Sequence, residues 1–426
     1  VIPVAWDEVA ALELGALEGG GTITGITADS RLAGPGDLFV ALNSGVAYVG
    51  EARARGASTL VPDDQHAALA ALASLVRGKS PARIVAVVGS TGKTSTKDIL
   101  GALCAAVTPT VWADASQNNE IGLPLTVCRL EVETRVLVTE MGMRGLGQVG
   151  DLCAIARPHV AVVTSIGPEH LELVGSIENV ARANAEAIAA LPPGGVAVVP
   201  ADAPQLEPFL GRTDIEIRRF DRSAANLDGG AWRFALPGRD LVLELPFRSR
   251  HMAENALAAL TAYDALGLPL GRAQEGASRI VLSRWRGEET SLPGGGMVVN
   301  DAYNANPTSM HAALVDLAER AGGRRRVAIL GEMAELGDDA DRYHREIGAL
   351  VARIGIHVLV AVGENARGYL QPGVDEMHWI PNVEAFDTVV GVLRPGDAVL
   401  VKGSRAVGLE GIPARIEKLG RTWFAS

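Results

Sequence analysis

Ile84-Val85-Ala86-Val87-Val88-Gly89-Ser90-Thr91-Gly92-Lys93-Thr94-Ser95-Thr96-Lys97 joins an apolar, β-branched segment to a glycine-bounded loop and then to a helical pattern running from residue 94 to about 107. The first five residues read as a buried strand. Strand, Gly loop, Lys-Thr and helix, in that order, make a phosphate-binding arrangement. Glycines such as Gly89 and Gly92 let backbone N–H groups turn toward an anion, and the head of the helix adds positive partial charge. Lys93 is placed to reach outer phosphates, and the Thr94 hydroxyl to reach a Mg²⁺. The loop is the short form GxxGKT, because Val87 stands where the longer spacing has a glycine.

From residue 83 onward strand-like runs alternate with longer helical patterns, which predicts a parallel α/β sheet. Strands are expected at 84–88, 135–139, 160–164 and 196–199. The less regular segment 202–247 reads as short strands added antiparallel to that sheet, and 253–266 as an Ala-rich helix ending at a Gly-Leu-Pro stop. Upstream lies a small α/β unit. It holds a helix over 4–14 stopped by Gly15, strands over 22–28 and 37–42, a helix over 49–56 and a strand over 58–61; a polar linker follows over 77–82. Downstream, a Gly-, Pro- and charge-rich break covers 286–296. Strands at 297–300, 326–330, 357–362 and 397–401 then alternate with helices at 308–321, 342–354 and 383–393, a doubly wound pattern. The expectation is an α/β chain of three domains, 1–80, 81–288 and 289–426, in keeping with a length of 426 residues.

The net charge of −11 argues against a general nucleic-acid role, since phosphate backbones need basic surfaces. Cys104, Cys128 and Cys153 lack metal spacing and read as small buried hydrophobes in a reducing compartment. No apolar run reaches the ~18 residues of a membrane span, and the first residues carry Asp7 and Glu8 rather than the basic head of a signal peptide. The expectation is a cytoplasmic protein.

Glu140 closes the strand at 135–139, at the sheet edge where open α/β folds bind ligands. It suits a Mg²⁺ shared with Thr94, or a cap or solvated carboxylate. His170, in the loop after strand 160–164, reads either as structural or as a second metal-side ligand. Asn118 and Asn119 suit hydrogen bonds to a polar ligand, or a turn with an Asx cap.

With GSTGKTSTK (89–97), NNEIGLPLT (118–126), TEMG (139–142), the His170 loop and NDAYNANPTSM (300–310) in this order, the chain resembles the Mur ligases, ATP-dependent enzymes that build the peptide of the bacterial cell-wall precursor. ADSR (28–31), GDLFVAL (36–42), LGEMAELGDDADRYHREIG (330–348) and VLVKGSR (399–405) point to the members that join D-alanyl-D-alanine to a UDP-N-acetylmuramoyl-tripeptide. The resemblance implies a UDP-sugar-binding domain, a central P-loop ATPase and a C-terminal Rossmann-like domain. It implies ATP and Mg²⁺, an acyl-phosphate intermediate, a monomer, and no nucleic-acid or membrane partner.

Residue by residue, the resemblance puts Ser30 and Arg31 on the UDP part. Gly92, Lys93, Thr94 and Ser95 go on the ATP phosphates, Thr94 and Glu140 on one Mg²⁺, and His170 on a second. Asn255 falls on the adenine side, Asp301 on the nucleotide side of the third domain, and Arg286 at the γ-phosphate, reached from the domain boundary. Tyr303, Asn304 and Asn306 line the D-Ala-D-Ala side. Asn184 stands where the family carries a carbamylated Lys, so weaker occupancy of the second Mg²⁺ site is expected, because an amide brings no negative charge. Ser165, Met252 and Asn300 also depart from the family pattern, and 43–49 lacks its Asp-Gly-His. Two other readings stand beside this one: a relative that adds a single amino acid, and a nucleotide-binding scaffold with weak ligase turnover.

Overall fold

The strand before the glycine loop runs over Arg83–Val88 and sits inside a six-stranded sheet, all of it parallel. The structure, a computed structural model, describes residues 1–420. The chain divides into two compact units, one comprising 1–165, 182–246 and 255–281 and the other 166–181, 247–254 and 282 onward.

The first unit begins with a small sheet of β1 (Gly15–Glu18), β2 (Gly25–Thr27), β3 (Asp37–Val40) and β4 (Ser58–Pro62), in the order β1-β4-β3-β2, with β1 antiparallel. Helix α1 (Gln65–Gly78) follows, capped by Asp64, whose side chain accepts from the N–H groups of His66 and Ala67. The parallel sheet is built from β5 (Arg83–Val88), β6 (Thr110–Trp112), β7 (Val136–Glu140), β8 (Val160–Val163), β9 (Val196–Pro200) and β10 (Glu216–Phe220), in the order β10-β9-β8-β5-β7-β6. The chain leaves β5 toward β6 and β7 on one side and returns to β8 on the other. The carboxyl end of β5 is therefore a topological switch point, where such sheets bind ligands. Helix α2 (Lys93–Ala105) starts there. Continuous Val, Ile and Ala in β5, β8 and β9 suit strands covered on both faces.

The second unit carries β14 (Glu288–Leu292), β15 (Gly296–Asn300), β16 (Arg326–Gly331), β17 (Val358–Val362), β18 (Glu376–Ile380) and β19 (Ala398–Lys402). Their order is β14-β15-β19-β16-β17-β18, and only β14 is antiparallel. Helices over Pro307–Arg320 and Ala340–Arg353 connect its parallel strands. The mixed α/β class with doubly wound sheets is as the alternation implies.

Several local expectations are corrected. The helix over 4–14 shrinks to Trp6–Ala10, because Val4 pairs with Ile23 in a short strand and Glu13 turns left-handed (φ 50°) ahead of β1. The linker over 77–82 is not a free tether. Arg77 belongs to α1 and is buried, with its Nε donating to the Ala156 carbonyl at 2.8 Å and Nη1 to that of Ser80 at 3.0 Å. The segment 202–247 contributes β10 in parallel, while β11 (Ala225–Asp228), β12 (Ala231–Leu236) and β13 (Arg239–Leu243) form a separate antiparallel sheet. The break over 286–296 contains β14. The helix over 383–393 is two 3₁₀ turns, Val383–Thr388 and Val390–Val392, as β-branched residues around Gly391 disfavour a longer helix. Edge strands β6, of three residues, and β18 carry no clear alternation, so the sequence pattern passed over them.

All three cysteines are buried, and burial pushes each thiol up to about 12. They are inert at neutral pH. No helix among the described residues is long and apolar enough to cross a membrane.

Candidate functional site

At the end of β5 the loop is fixed from three directions. Gly89 has φ 125°, and a Cβ there would lie 2.3 Å from the Thr164 hydroxyl. Gly92 has φ 84°, and a Cβ there would lie 2.2 Å from Asn255 Oδ1. Both positions therefore need glycine for backbone and for space. From the end of β8, Ser165 accepts from Thr91 N at 2.8 Å, and Thr164 Oγ1 donates to the Thr91 carbonyl at 2.5 Å. Asn255, placed on the adenine side by resemblance, lies against the loop glycine itself. The Lys93 ammonium folds back and donates to the Gly89 carbonyl. Thr94 and Ser95 are buried in the first turn of α2, and Thr94 Oγ1 lies 3.4 Å from Ser116 Oγ.

β7 pairs with β5 so that Glu140 stands beside Val87, two residues before Gly89. The carboxylate is 1 % exposed. Its Oε1 accepts from Asn118 Nδ2 at 2.8 Å, while Oε2 meets no hydrogen-bond donor among the described residues. A buried anionic oxygen without a donor is costly unless a cation completes it. Together with the Thr94 hydroxyl on the neighbouring element, hard oxygen donors are what Mg²⁺ takes. Asn118 is therefore the partner of Glu140. Asn119 makes the Asx cap, accepting from Gly122 N at 2.9 Å.

Asn184 is 2 % exposed, and its Oδ1 accepts from Gly89 N at 2.6 Å. The amide oxygen expected near a second metal is committed to the phosphate loop. Glu186, two residues on, accepts from Gly147 N at 2.6 Å and Gly150 N at 2.9 Å, at the head of the helix Gln148–Ala156. It faces away, as a two-residue helical step requires. Asn184→Ala leaves a buried N–H without its acceptor, and the expected loss of stability is about 1–3 kcal/mol, read by denaturant unfolding. A loss under a few tenths would show that water replaces the amide.

In the second unit three motifs meet at adjacent strand ends. Lys402, at the end of β19, is buried; its Nζ donates to Asp301 Oδ2 at 2.7 Å and to the Asn304 carbonyl at 2.9 Å. Ser404 Oγ accepts from Ala334 N at 2.9 Å. Residues 300–310, 330–348 and 399–405 thus form one edge. Tyr303 lies under the Arg286 guanidinium, 4.0 Å from carbon to ring centre. Asn304 is exposed, whereas the Asn306 side chain caps its helix, accepting from Ser309 N at 2.9 Å. His170 has φ 51°, and its Nδ1 pairs with Glu335, itself at φ 60°. Its Nε2 lies 3.7 Å from Glu169.

Glu140 and His170 fall in different units, and the described residues hold no cluster of three or more His, Cys, Asp or Glu that could bind a metal. Ser30 is buried in the first unit. Arg31 is 80 % exposed and forked onto Asp29, Nη2 to Oδ2 2.6 Å, a bond that holds the Asp29 carboxyl down at about 2. Sequence reading missed the loop-fixing roles of Thr164, Asn184, Lys402 and Glu335. The position of Thr164 at a strand's carboxyl end was the available signal for the first.

Residues 87–263 match the Mur ligase middle domain, and 285–405 match the Mur ligase glutamate ligase domain. The chain is 30 % identical to the UDP-N-acetylmuramoyl-tripeptide–D-alanyl-D-alanine ligase of Escherichia coli (strain K12), covering 99 % of this chain and 100 % of that one. It is 34 % identical to the ligase of the same name from Mycobacterium bovis, covering 89 % of each. Among solved structures it is similar to MurF from Acinetobacter baumannii, with TM-score 0.86 and 26 % identity over 98 % of this chain and 99 % of that one.

Proposed function

The chain belongs to the Mur ligase family, and on that premise we propose that it joins D-alanyl-D-alanine to the C-terminal carboxylate of a UDP-N-acetylmuramoyl-tripeptide, using ATP. One observation of geometry supports the ATP part of this reading: the buried Glu140 oxygen without a donor, set beside a glycine-loop helix start at the switch point of the sheet. That is a place built for a phosphate chain with its cation. The dipeptide and tripeptide rest on the similarity to the ligases named above.

In this reading residues 1–80 hold the UDP part, with Ser30 and Arg31 in contact. Residues 81–288 hold ATP, and 289–426 present the dipeptide. The backbone of Gly89 to Ser95 cradles the phosphates. Thr94 and Glu140 would hold a Mg²⁺, which supplies charge neutralisation at the transferring phosphoryl group. His170, oriented by Glu335 as a carboxylate orients a ligating imidazole, would serve a second ion. The committed oxygen of Asn184 supports weak occupancy there.

The tripeptide carboxylate attacks the γ-phosphorus, ADP leaves, and an acyl phosphate forms. Lys93 and Arg286 offset the charge spread over the transferring oxygens. The dipeptide amine then attacks the acyl carbon, and phosphate leaves as the amide forms. Asn255 and Asp301 hold nucleotide, Asn118 and Asn119 shape the loop beside the tripeptide, and Tyr303, Asn304 and the Asn306-capped turn line the dipeptide side. The protein's part is mainly positioning. A monomer in the cytoplasm, without nucleic-acid or membrane partner, fits this chemistry.

Phosphate release with UDP-muramoyl-tripeptide tests the reading. Turnover is expected with D-Ala-D-Ala and not with single amino acids or without amine. Turnover with a single amino acid would point to a relative of different specificity, and none with any amine to a nucleotide-binding scaffold.

A further inference from the structure

Lys97 lies one helical turn beyond Lys93 on α2 and is fully buried. Its ammonium is saturated on three sides. It donates to the Ala113 carbonyl at 2.6 Å and the Ala115 carbonyl at 2.7 Å, and pairs with Asp98 Oδ1 at 2.8 Å. The two carbonyls belong to the loop after β6. Ala115 in that loop is left-handed, φ 46°, a conformation an alanine holds only when its surroundings impose it. The residues that follow face the candidate nucleotide edge: Ser116 Oγ lies 3.4 Å from Thr94 Oγ1, and Asn118 Nδ2 holds Glu140 Oε1. The Asn118 carbonyl also accepts from Gly142 N at 2.8 Å, so the loop is clamped between α2 and the end of β7.

We infer that Lys97 is a positioning residue for the metal–nucleotide edge: its buried ammonium holds the 113–118 loop in a strained shape that sets Ser116 against Thr94 and Asn118 against Glu140. A buried ammonium is a costly way to stabilise a helix. Its three bonds fall on the two carbonyls that flank the left-handed turn and on the neighbouring carboxylate. The Lys97 ammonium is directed at the Ala113 and Ala115 carbonyls and at Asp98, not at Thr94 or Glu140, so it acts through the loop. This rests on the reading of that edge as the Mg²⁺–ATP site.

The test is binding of a fluorescent non-hydrolysable ATP analogue to the full chain, titrated with Mg²⁺, for wild type, Lys97→Met and Lys97→Met with Ala115→Gly. Lys97→Met is expected to raise the half-saturating Mg²⁺ concentration about tenfold or more, the scale seen when a group orienting a metal ligand is lost. Ala115→Gly should return it toward the wild-type value, because glycine takes the left-handed turn without help. A role confined to stability would lower the unfolding temperature of Lys97→Met and leave the Mg²⁺ midpoint in place, and that result overturns the inference alone. If wild type binds the analogue without Mg²⁺ dependence, the reading of the edge falls, and the inference with it. A second measurement needs no variant. Hydrogen exchange of the wild-type chain without ligand should show the amides of Ala113 and Gln117, which donate to the Val138 and Asp114 carbonyls, protected. Fast exchange that slows only when the analogue and Mg²⁺ are added would mean that ligand, not Lys97, sets the loop.

Discussion

Lys93→Met is expected to lower ligase turnover by about 10²–10³-fold or more while leaving the fold in place, the scale found when one preorganised donor to a developing charge is removed. The Lys93 side chain is half-buried and its ammonium rests on the Gly89 carbonyl, within the loop that it would leave to meet phosphate. Methionine keeps the aliphatic stem and deletes the charge. The glycine geometry, the Ser165 and Thr164 bonds and the Asn184 bond do not depend on that ammonium, so the loop survives. Phosphate release under saturating substrates and thermal unfolding, read together, check it. A rate within tenfold of wild type would remove Lys93 from the chemistry.

The loop was legible because its signal is local: a β-branched strand, two glycines and Lys-Thr within fourteen residues. What holds the loop was not legible, because those partners come from 74 and 95 positions away in sequence, Ser165 on Thr91 and Asn184 on Gly89. A pattern of apolar spacing sees which face of a helix is buried, and it cannot see that one amide on that face ends on a particular N–H. The same limit explains the linker that proved to be structure. Arg77 reads as polar and exposed until its donors are seen to meet the carbonyls of Ala156 and Ser80. Asn118 and Asn119 divide the lesson between them. The Asx cap expected of a turn belongs to Asn119, and the hydrogen bond expected of a site belongs to Asn118, received by a carboxylate of the chain itself. Alternation of strands and helices sufficed for the doubly wound class because each buried strand has to be apolar throughout, whereas edge strands such as β6 are excused from that rule and escape notice.

Glu140→Gln should move activity and stability in opposite directions. Glutamine keeps an oxygen for the Asn118 amide and replaces the buried oxygen that lacks a donor with a neutral group. Without Mg²⁺ the wild-type chain carries that buried anion against the cost of desolvation, so the variant is expected to unfold later, by about 1–2 °C for a gain near ~1 kcal/mol. With Mg²⁺ and an ATP analogue the order should reverse. Wild type gains stability by binding, about 2.7 kcal/mol at a hundredfold excess over Kd, and the variant gains less because it offers the cation no charge. Turnover of the variant should fall by about 10²-fold or more. The crossing of the two melting curves is the informative result, since replacing a residue kept for packing would cost stability under both conditions, whereas replacing one kept for a cation costs stability only where the cation is present. A Gln variant that melts below wild type without Mg²⁺ would mean that the second carboxylate oxygen has a donor in solution, and the case for a metal at this edge would then rest on the Thr94 hydroxyl alone.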